Sequence, residues 1–162
     1  MKRDVVQLPI IRDPSTVDGP VLVADWGGGW DGLDAAERLA GAGADVTLAC
    51  AAPVPGETVH QYQRNLYFAR PDDLGVTIRH HTELVTSEHL ELRHVFSGRL
   101  LPFPAITTLV LAQGRVPEGD LWPELEGHDQ VVRAGDVLDP RMLEEAVLEG
   151  TLAVPQGRHI DD

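Results

Sequence analysis

The residues best suited to binding chemistry are three glycines, Gly27, Gly29 and Gly32, which have the spacing G-x-G-x-x-G. In a dinucleotide site, the first glycine of such a run allows a tight turn. The second lets the backbone approach a pyrophosphate, and the third lets a helix pack on a strand. The pyrophosphate then lies at the N-terminus of that helix. The spacing predicts either a dinucleotide-binding turn or a turn that only connects strand and helix.

The neighbours of these glycines argue against a bound dinucleotide. Trp26 and Trp30 crowd the place of a phosphate, and Asp25 and Asp31 add negative charge beside it. At close range this repulsion outweighs the attraction of a helix dipole. The next predicted strand ends at residues 50–53 without the acidic residue expected for NAD or the Arg expected for NADP. The sequence therefore favours a structural turn, with NAD(P) binding as the alternative.

A second candidate site lies further along the chain. Gly114 permits a sharp exit from a predicted strand, and Gly135-Asp136 follows another strand and precedes a helix. Backbone amides point outward at such a place, and an Asp there can hold a ribityl or ribose hydroxyl group. The alternative is that Asp136 merely caps the following helix. Spacing alone leaves both interpretations open.

The elements that position these residues predict a Rossmann-like, three-layer α/β domain of the FAD/NAD(P)-binding type. A buried strand at 21–25, a helix at 33–41 and a strand at 45–50 form a βαβ unit. Alternation at 83–101 predicts a small antiparallel meander as a crossover. Further parallel strands are predicted at 76–79, 107–112 and 131–134. We expect a lead-in at 1–20, an NAD(P)-binding-like domain at 21–134, a return segment with a C-terminal helix at 135–152, and a flexible tail at 153–162.

Two further helices have predicted inner faces. In the helix at 59–70, the residues on one side are Val59, Tyr62, Leu66 and Ala69. Its polar-aromatic composition also allows a docking surface, although an amphipathic helix is the favoured interpretation. In the helix at 140–150, the residues expected to face inward are Met142, Leu143, Ala146 and Val147. The residues expected on its solvated face are Glu144, Glu145 and Glu149.

Composition excludes several classes of protein. The 162 residues include 26 acidic and 13 basic side chains, giving a net charge of −13, which argues against a nucleic-acid binder or a polybasic membrane-surface protein. The single cysteine, Cys50, excludes an intramolecular disulfide and a four-cysteine cluster from this chain alone. The cysteine count, the lack of a signal-peptide pattern and the lack of a membrane-span-length apolar run predict a cytoplasmic protein.

The remaining reactive side chains suggest no catalytic site. His80 and His81 are adjacent on a predicted strand edge, where neighbours point to opposite faces, so we expect a solvated pair rather than metal ligands. Cys50 has no nearby His or Lys in the sequence to lower its pKa, which favours a small buried apolar residue. We find no catalytic triad, metal-ligand spacing or acid–base carboxylate pair, and assign no catalytic residue and no metal site.

Three stretches of the chain resemble a known family. They are Val21–Gly43, Leu121–Leu125, and Gly135-Asp136-x-x-x-Pro140-Arg141 with the helix that follows it. They are similar to the C-terminal region of the trimethylamine dehydrogenase and 2,4-dienoyl-CoA reductase family of Old Yellow Enzyme-like flavoproteins. The likeness extends over about residues 18–150. Family members have an FMN-binding TIM barrel, a 4Fe-4S cluster, and FAD-type and NAD(P)-type domains.

The resemblance implies that this chain is the NAD(P)-type domain plus the return segment of the FAD-type domain. Gly135 and Asp136 match the family's contact with FAD or ADP, and Gly114 matches its strand-end glycine. In the reductase branch, the loop at 27–32 holds NADPH. In the amine dehydrogenase branch that loop has degenerated, ADP lies in the FAD-type domain, and electrons leave to an electron-transfer flavoprotein. Asp25 and the two tryptophans place this chain nearer the second branch.

The resemblance therefore implies a small subunit, or a C-terminal piece, of a flavin-dependent oxidoreductase. A larger partner would supply FMN, the 4Fe-4S cluster and the missing half-domain, so the chain would not be catalytic alone. FAD or ADP would occupy a partial site that the partner completes. One alternative is a non-catalytic scaffolding module with vestigial nucleotide loops. Another is an NAD(P)H-binding reductase domain.

Overall fold

The structure is a computed structural model that describes residues 4–7, 13–14, 17, 19–86, 90–102, 105–128 and 131–154. In chain order, the elements are β1 (Asp4–Gln7), β2 (Pro20–Asp25), α1 (Trp30–Gly41), β3 (Asp45–Cys50), α2 (Gln61–Asp73), β4 (Thr77–Arg79), β5 (Thr82–Thr86), β6 (Glu91–His94), β7 (Leu100–Leu101), β8 (Thr108–Ala112), α3 (Trp122–Leu125), a 3-10 turn (Gly135–Val137) and α4 (Leu143–Ala153). They fall into two units, residues 1–114 and residues 115–162. Of the helices in the described ranges, none has the length and apolar character to cross a membrane.

A five-stranded parallel sheet forms the centre of the first unit, in the order β1-β8-β2-β3-β4. β2 and β3 are mostly apolar, without regular polar alternation, because both of their faces are covered. In the register, Val23 pairs with Leu48 on one side and with Val110 on the other. The βαβ unit predicted from the sequence is confirmed. The lead-in contributes a strand that the sequence did not predict, because β1 pairs with β8.

Each face of the sheet has its own apolar layer. Helix α1 covers one face, and Leu33, Ala36, Leu39 and Ala40 are buried there, at the helical spacing seen in the sequence. The antiparallel sheet β5-β6-β7 belongs to the other layer, where Leu92 packs with Leu22, Leu109 and Ile106. The predicted Rossmann-like α/β fold with a separate antiparallel meander is therefore confirmed.

Helix α2 packs differently from the prediction. Tyr62 and Leu66 were expected on its inner side, but they are 71% and 79% exposed. The inner side instead presents Tyr67 and Phe68 to the apolar layer under α1. The Tyr67 hydroxyl donates to the Asp34 carboxylate. This hydrogen bond therefore adds a polar contact to the apolar packing of α2 beside α1.

The second unit has no sheet among its described residues. Residues 131–134, predicted as the last parallel strand, form no strand, although Ala134 has an extended backbone with φ −150° and ψ 154°. A strand requires a neighbour to accept and donate its hydrogen bonds, and no described residue of this unit supplies one. None of its described residues reaches full burial.

The inner face predicted for the C-terminal helix is wrong in three of its four positions. Met142, Leu143 and Val147 are exposed, and Ala146 alone is half-buried. Glu145 and Glu149, expected in solvent, are also half-buried. Most of the predicted tail, from residue 155 onward, lies outside the described residues.

Candidate functional site

The glycine-rich turn lies where ligands bind in open α/β sheets. The chain passes from β2 through β3 to β4 on one side, and then returns to β8 on the other side of β2. This reversal of strand order makes the carboxyl end of β2 a topological switch point. Gly27 and Gly29 lie in the turn between β2 and α1, and Gly32 lies in the first turn of α1.

Asp25, the last residue of β2, dominates the turn. It is 3% exposed, and its Oδ1 accepts a hydrogen bond of 3.2 Å from the Gly28 amide. Its Oδ2 is buried without a hydrogen-bond partner among the described residues. Burial of the carboxyl group raises the pKa of Asp25 above its ordinary value, and the Gly28 amide opposes that rise. An amide of the proposed anion site is therefore already bonded to an internal acid.

The glycines of the turn have unequal roles. A Cβ on Gly32 would lie 2.6 Å from Cβ and Cγ of Asp25, so this glycine is needed for the packing of α1 on β2. A Cβ on Gly27 would meet no atom within 4 Å, and one on Gly29 would lie 3.6 Å from Thr58 Oγ1. Gly27 and Gly29 are therefore not required by close packing, and they leave open the alternative of a ligand over the turn.

Sequence analysis missed the importance of Gly28. This residue has φ +60°, and a Cβ on it would lie 3.1 Å from Ala52 Cβ. Its carbonyl oxygen accepts hydrogen bonds from Thr58 N at 3.1 Å and from Thr58 Oγ1 at 3.2 Å. The loop after β3 therefore crosses the glycine-rich turn. Proline and glycine at positions 53, 55 and 56 signalled an irregular loop but not where it packs.

A cavity of about 290 Å³ lies beside the carboxyl ends of β2, β3 and β8. It is lined by Asp25, Trp26, Ala51, Glu83, Leu84 and Gln113. Glu83 forms an ion pair with Arg93 at 2.7 Å. The described lining includes two acids and an amide but no basic residue, which makes the cavity a poor place for a phosphate.

Cys50 and the histidine pair add no reactive group to this site. Cys50 is buried, and burial together with the nearby Asp25 carboxyl raises its pKa to about 12, so the thiol stays protonated at neutral pH. His80 and His81 lie in the turn between β4 and β5 rather than on a strand, and their ring centroids are 6.5 Å apart. Within the described residues, no group of three or more His, Cys, Asp or Glu could hold a metal ion.

The residues of the second candidate constellation belong to different units. Gly114 follows β8 with φ +100° and ends the first unit, whereas Gly135 and Asp136 belong to the second. Gly135 has φ +65°, and its amide donates a hydrogen bond of 2.7 Å to Glu149 Oε2. Glu149 is also paired with Arg141.

Asp136 lies within the 3-10 turn and is exposed. It does not cap α4, because that helix begins after Met142, whose amide donates to Glu145 at 3.1 Å. The capping interpretation of Asp136 is therefore wrong. Its side chain remains accessible to a hydroxyl donor.

A larger, mostly apolar groove of about 560 Å³ occurs within the second unit. It is lined by Glu118, Asp120, Leu121, Trp122, Leu125, Val131, Val132, Arg133, Ala134 and Val137. The Arg133 guanidinium lies 4.5 Å from the centre of the Trp122 ring, within the range of a cation–π contact. Sequence analysis assigned no role to this pair.

Comparisons with known proteins identify the fold. No family model matches the chain, and no curated protein matches it. Histamine dehydrogenase from Rhizobium sp. 4-9 is similar in structure, with a TM-score of 0.83 and 21% identity, over 99% of this chain and 27% of that chain. The 6-hydroxypseudooxynicotine amine oxidase of Pseudomonas geniculata N1 is similar with a TM-score of 0.76 and 23% identity, over 92% of this chain and 24% of that chain. A 2-naphthoyl-CoA reductase is similar with a TM-score of 0.67 and 17% identity, over 87% of this chain and 21% of that chain.

These likenesses show that the chain has a Rossmann-like α/β fold that also occurs in these three enzymes. At these identities they establish the fold alone. The chain spans about a quarter of the length of the two amine-oxidising enzymes. The fold expected from the predicted resemblance is thus supported at the level of structure, without a family match in sequence.

Proposed function

We propose that this chain is the small subunit, or a C-terminal piece, of a cytoplasmic flavin-dependent oxidoreductase resembling trimethylamine dehydrogenase. The observation that carries the proposal is the likeness to histamine dehydrogenase, which includes 99% of this chain but 27% of the other. A partner polypeptide would supply the FMN barrel and the 4Fe-4S cluster. This chain would supply a nucleotide-type domain, and an electron-transfer flavoprotein could accept the electrons.

The state of the second unit supports an incomplete domain. Residues 131–134 have no strand neighbour among the described residues of this unit, and none of those residues is fully buried. A folded unit of this size normally buries an apolar core. The partner would provide the sheet that residues 131–134 join.

The nucleotide that best suits this arrangement is ADP or FAD, held with the help of the partner. The exposed Asp136 carboxylate can accept a hydrogen bond from a ribose or ribityl hydroxyl group. The Gly135 amide already donates to Glu149, so at this position the chain alone has little hydrogen-bonding capacity for a phosphate. The site on this chain is therefore partial, and we expect weak binding by the chain alone.

The glycine-rich turn is proposed to be degenerate as a hydride-donor site. The buried Asp25 carboxyl bonds to Gly28, and Asp31 lies in the first turn of α1. Both acids oppose a pyrophosphate at that helix end. This arrangement also favours the second candidate function, a scaffolding module whose nucleotide loops serve only the fold.

Purification of the tagged chain from its native source tests the subunit proposal. We expect a larger polypeptide to co-purify, with a flavin absorption spectrum and iron in the complex. A chain that runs as a stable monomer, without a flavoprotein partner, would contradict the proposal.

A thermal-shift panel with ADP, FAD, NADH and NADPH separates the alternatives. A ligand at 100 times its Kd adds about 2.7 kcal/mol of stability. Stabilisation of the complex by ADP or FAD supports the partial site, whereas no shift in either chain or complex supports the scaffold. A shift with NADPH or NADH that Gly29→Trp abolishes would restore the hydride-donor site.

A further inference from the structure

Helix α4 turns its acidic side toward the second unit and its large apolar residues outward, which is the reverse of an ordinary amphipathic helix. Its half-buried residues are Glu145, Ala146, Glu149 and Ala153. Glu145 and Glu149 are four residues apart, Ala146 and Glu149 are three apart, and Glu149 and Ala153 are four apart, so these residues share one face of the helix. The larger apolar side chains, Leu143, Val147, Leu148 and Leu152, are all exposed. The side turned toward the second unit is therefore small and acidic, and the outward side carries these four apolar residues with the exposed Glu144 and Thr151 between them.

Hydrogen bonds explain how acids occupy the inner face. Glu149 accepts from the Gly135 amide at 2.7 Å and pairs with Arg141. Glu145 accepts from the Met142 amide at 3.1 Å. The first of these contacts turns the Glu149 side of α4 toward the 3-10 turn, and the second caps the helix. They leave Leu143, 76% exposed, and Val147, 60% exposed, pointing away from the unit.

The outward face has the pattern of a helix that binds in a groove. Leu143 and Val147 are four residues apart, as are Leu148 and Leu152, which gives two pairs of neighbouring anchors. Exposed apolar patches of this kind mark interaction surfaces. The face therefore needs a partner with an apolar groove.

Charge indicates what kind of partner it is. Helix α4 contains three glutamates and no Lys or Arg, and of the three Glu144 is on the outward side. Residues 115–154 contain ten acidic side chains and three arginines, a net charge of −7. A second copy of this chain, itself at −13, would bring like charges together. A surface with Lys or Arg around its apolar groove would be attracted.

We propose that the outward face of α4 docks into an apolar groove, rimmed by basic residues, on a partner polypeptide. The inference rests on the proposed function, in which that partner carries the flavin. About three quarters of histamine dehydrogenase has no counterpart in this chain, so the fold leaves room for a partner of this kind.

Capture by the tagged full-length chain tests this docking face. We expect the doubly substituted chain Leu143→Glu, Val147→Glu to bind the captured partner at least about a hundredfold more weakly, a tenfold loss for each anchor. Its melting temperature and circular dichroism should match the unsubstituted chain, because both side chains are exposed. The matched control is Tyr62→Glu, Leu66→Glu on α2, which changes two equally exposed apolar residues. Binding should weaken as salt is raised.

The outcomes separate this inference from the proposed function. If a flavoprotein is captured equally well by the α4 variant, the docking face is wrong and the proposed function stands. If the α4 variant loses a partner that carries no flavin, the docking face is supported and the proposed function fails. Self-association of the chain that the α4 variant abolishes would overturn the inference, because the occupant would be a second copy. Capture of no protein by the unsubstituted chain would contradict both.

Discussion

The two units of this molecule belong to one acidic, aliphatic sequence, but the first buries many of its large apolar residues and the second leaves them exposed. In the first unit, the side chains of Leu22, Leu33 and Leu48 are fully buried between sheet and helix or between the two sheets. In the second unit, Leu143 and Leu152 face outward, and the described residues include none that is fully buried. The first unit supplies its own packing surfaces. The second presents apolar surfaces that, under the proposed function, a partner polypeptide would cover.

The largest effect expected from this difference concerns leucine truncation. Leu33→Ala removes a fully buried side chain on the inner face of α1 and should lower the free energy of unfolding by about 2–5 kcal/mol. Leu148→Ala in α4 should change it by less than about 0.5 kcal/mol, because that side chain is exposed. Urea denaturation of both variants measures the contrast. Equal losses would show that α4 is packed within the isolated chain.

Glycine substitution gives the next largest contrast. Gly32→Ala places a Cβ 2.6 Å from Asp25 Cβ and Cγ, so we expect a loss of about 1–3 kcal/mol despite the better helix propensity of alanine. Gly150→Ala in α4 meets no atom within 4 Å and should gain about 0.5–1 kcal/mol. Thermal unfolding of the two variants should therefore shift in opposite directions. A stabilised Gly32→Ala variant would refute the close packing of α1 on β2.

The parts of the fold that could be predicted are those that depend on residues near in sequence. The βαβ unit was predictable because β2 and β3 are short, mostly apolar runs separated by a glycine turn and a periodic helix. Val131 and Val132 look equally strand-like, but a strand also requires a neighbour, and no local pattern shows whether one exists. The same limit applies to α4. Periodicity identifies residues that share a face, but not the surface that the face contacts.

In the candidate site, too, the features that depend on nearby residues were predictable and the contacts between distant residues were not. Gly32 was predictable, since a packing glycine is part of the strand–turn–helix pattern. The contacts of Gly28 with Thr58 and of Gly135 with Glu149 were not. They join residues 30 and 14 positions apart through loop and helix geometry that the motif does not encode.

A further contrast lies in the acids that occupy the two glycine amides. Glu149, which bonds to Gly135, also has Arg141 as a cationic partner. Glu149→Gln keeps an acceptor for the amide but removes the charge. It should therefore lower the stability of the second unit by about 1 kcal/mol. Hydrogen exchange of the Gly135 amide measures this directly, with Glu144→Gln on the exposed side of α4 as the control.

Asp25 should respond in the opposite direction, because among the described residues its buried carboxyl has no cationic partner and its Oδ2 has no hydrogen-bond partner. Its pKa in the folded chain is raised, mainly by burial, so the folded state favours the protonated form. The ionised carboxylate therefore lowers stability as pH rises from the ordinary Asp value through the raised one. Asp25→Asn keeps an oxygen to accept from the Gly28 amide and removes the buried charge.

We expect Asp25→Asn to raise the free energy of unfolding at neutral pH by about 1 kcal/mol. The gain should shrink as pH falls toward the ordinary pKa of an Asp side chain, because both chains are then uncharged at this position in the folded state. Melting temperatures of the two chains across that pH range measure the difference. Asp45→Asn, at the exposed start of β3, serves as the control for a general change in net charge. If Asp25→Asn instead destabilises the chain at neutral pH while Asp45→Asn does not, the carboxylate charge helps to hold the turn. The two glycine turns would then be stabilised by their internal acids in the same way.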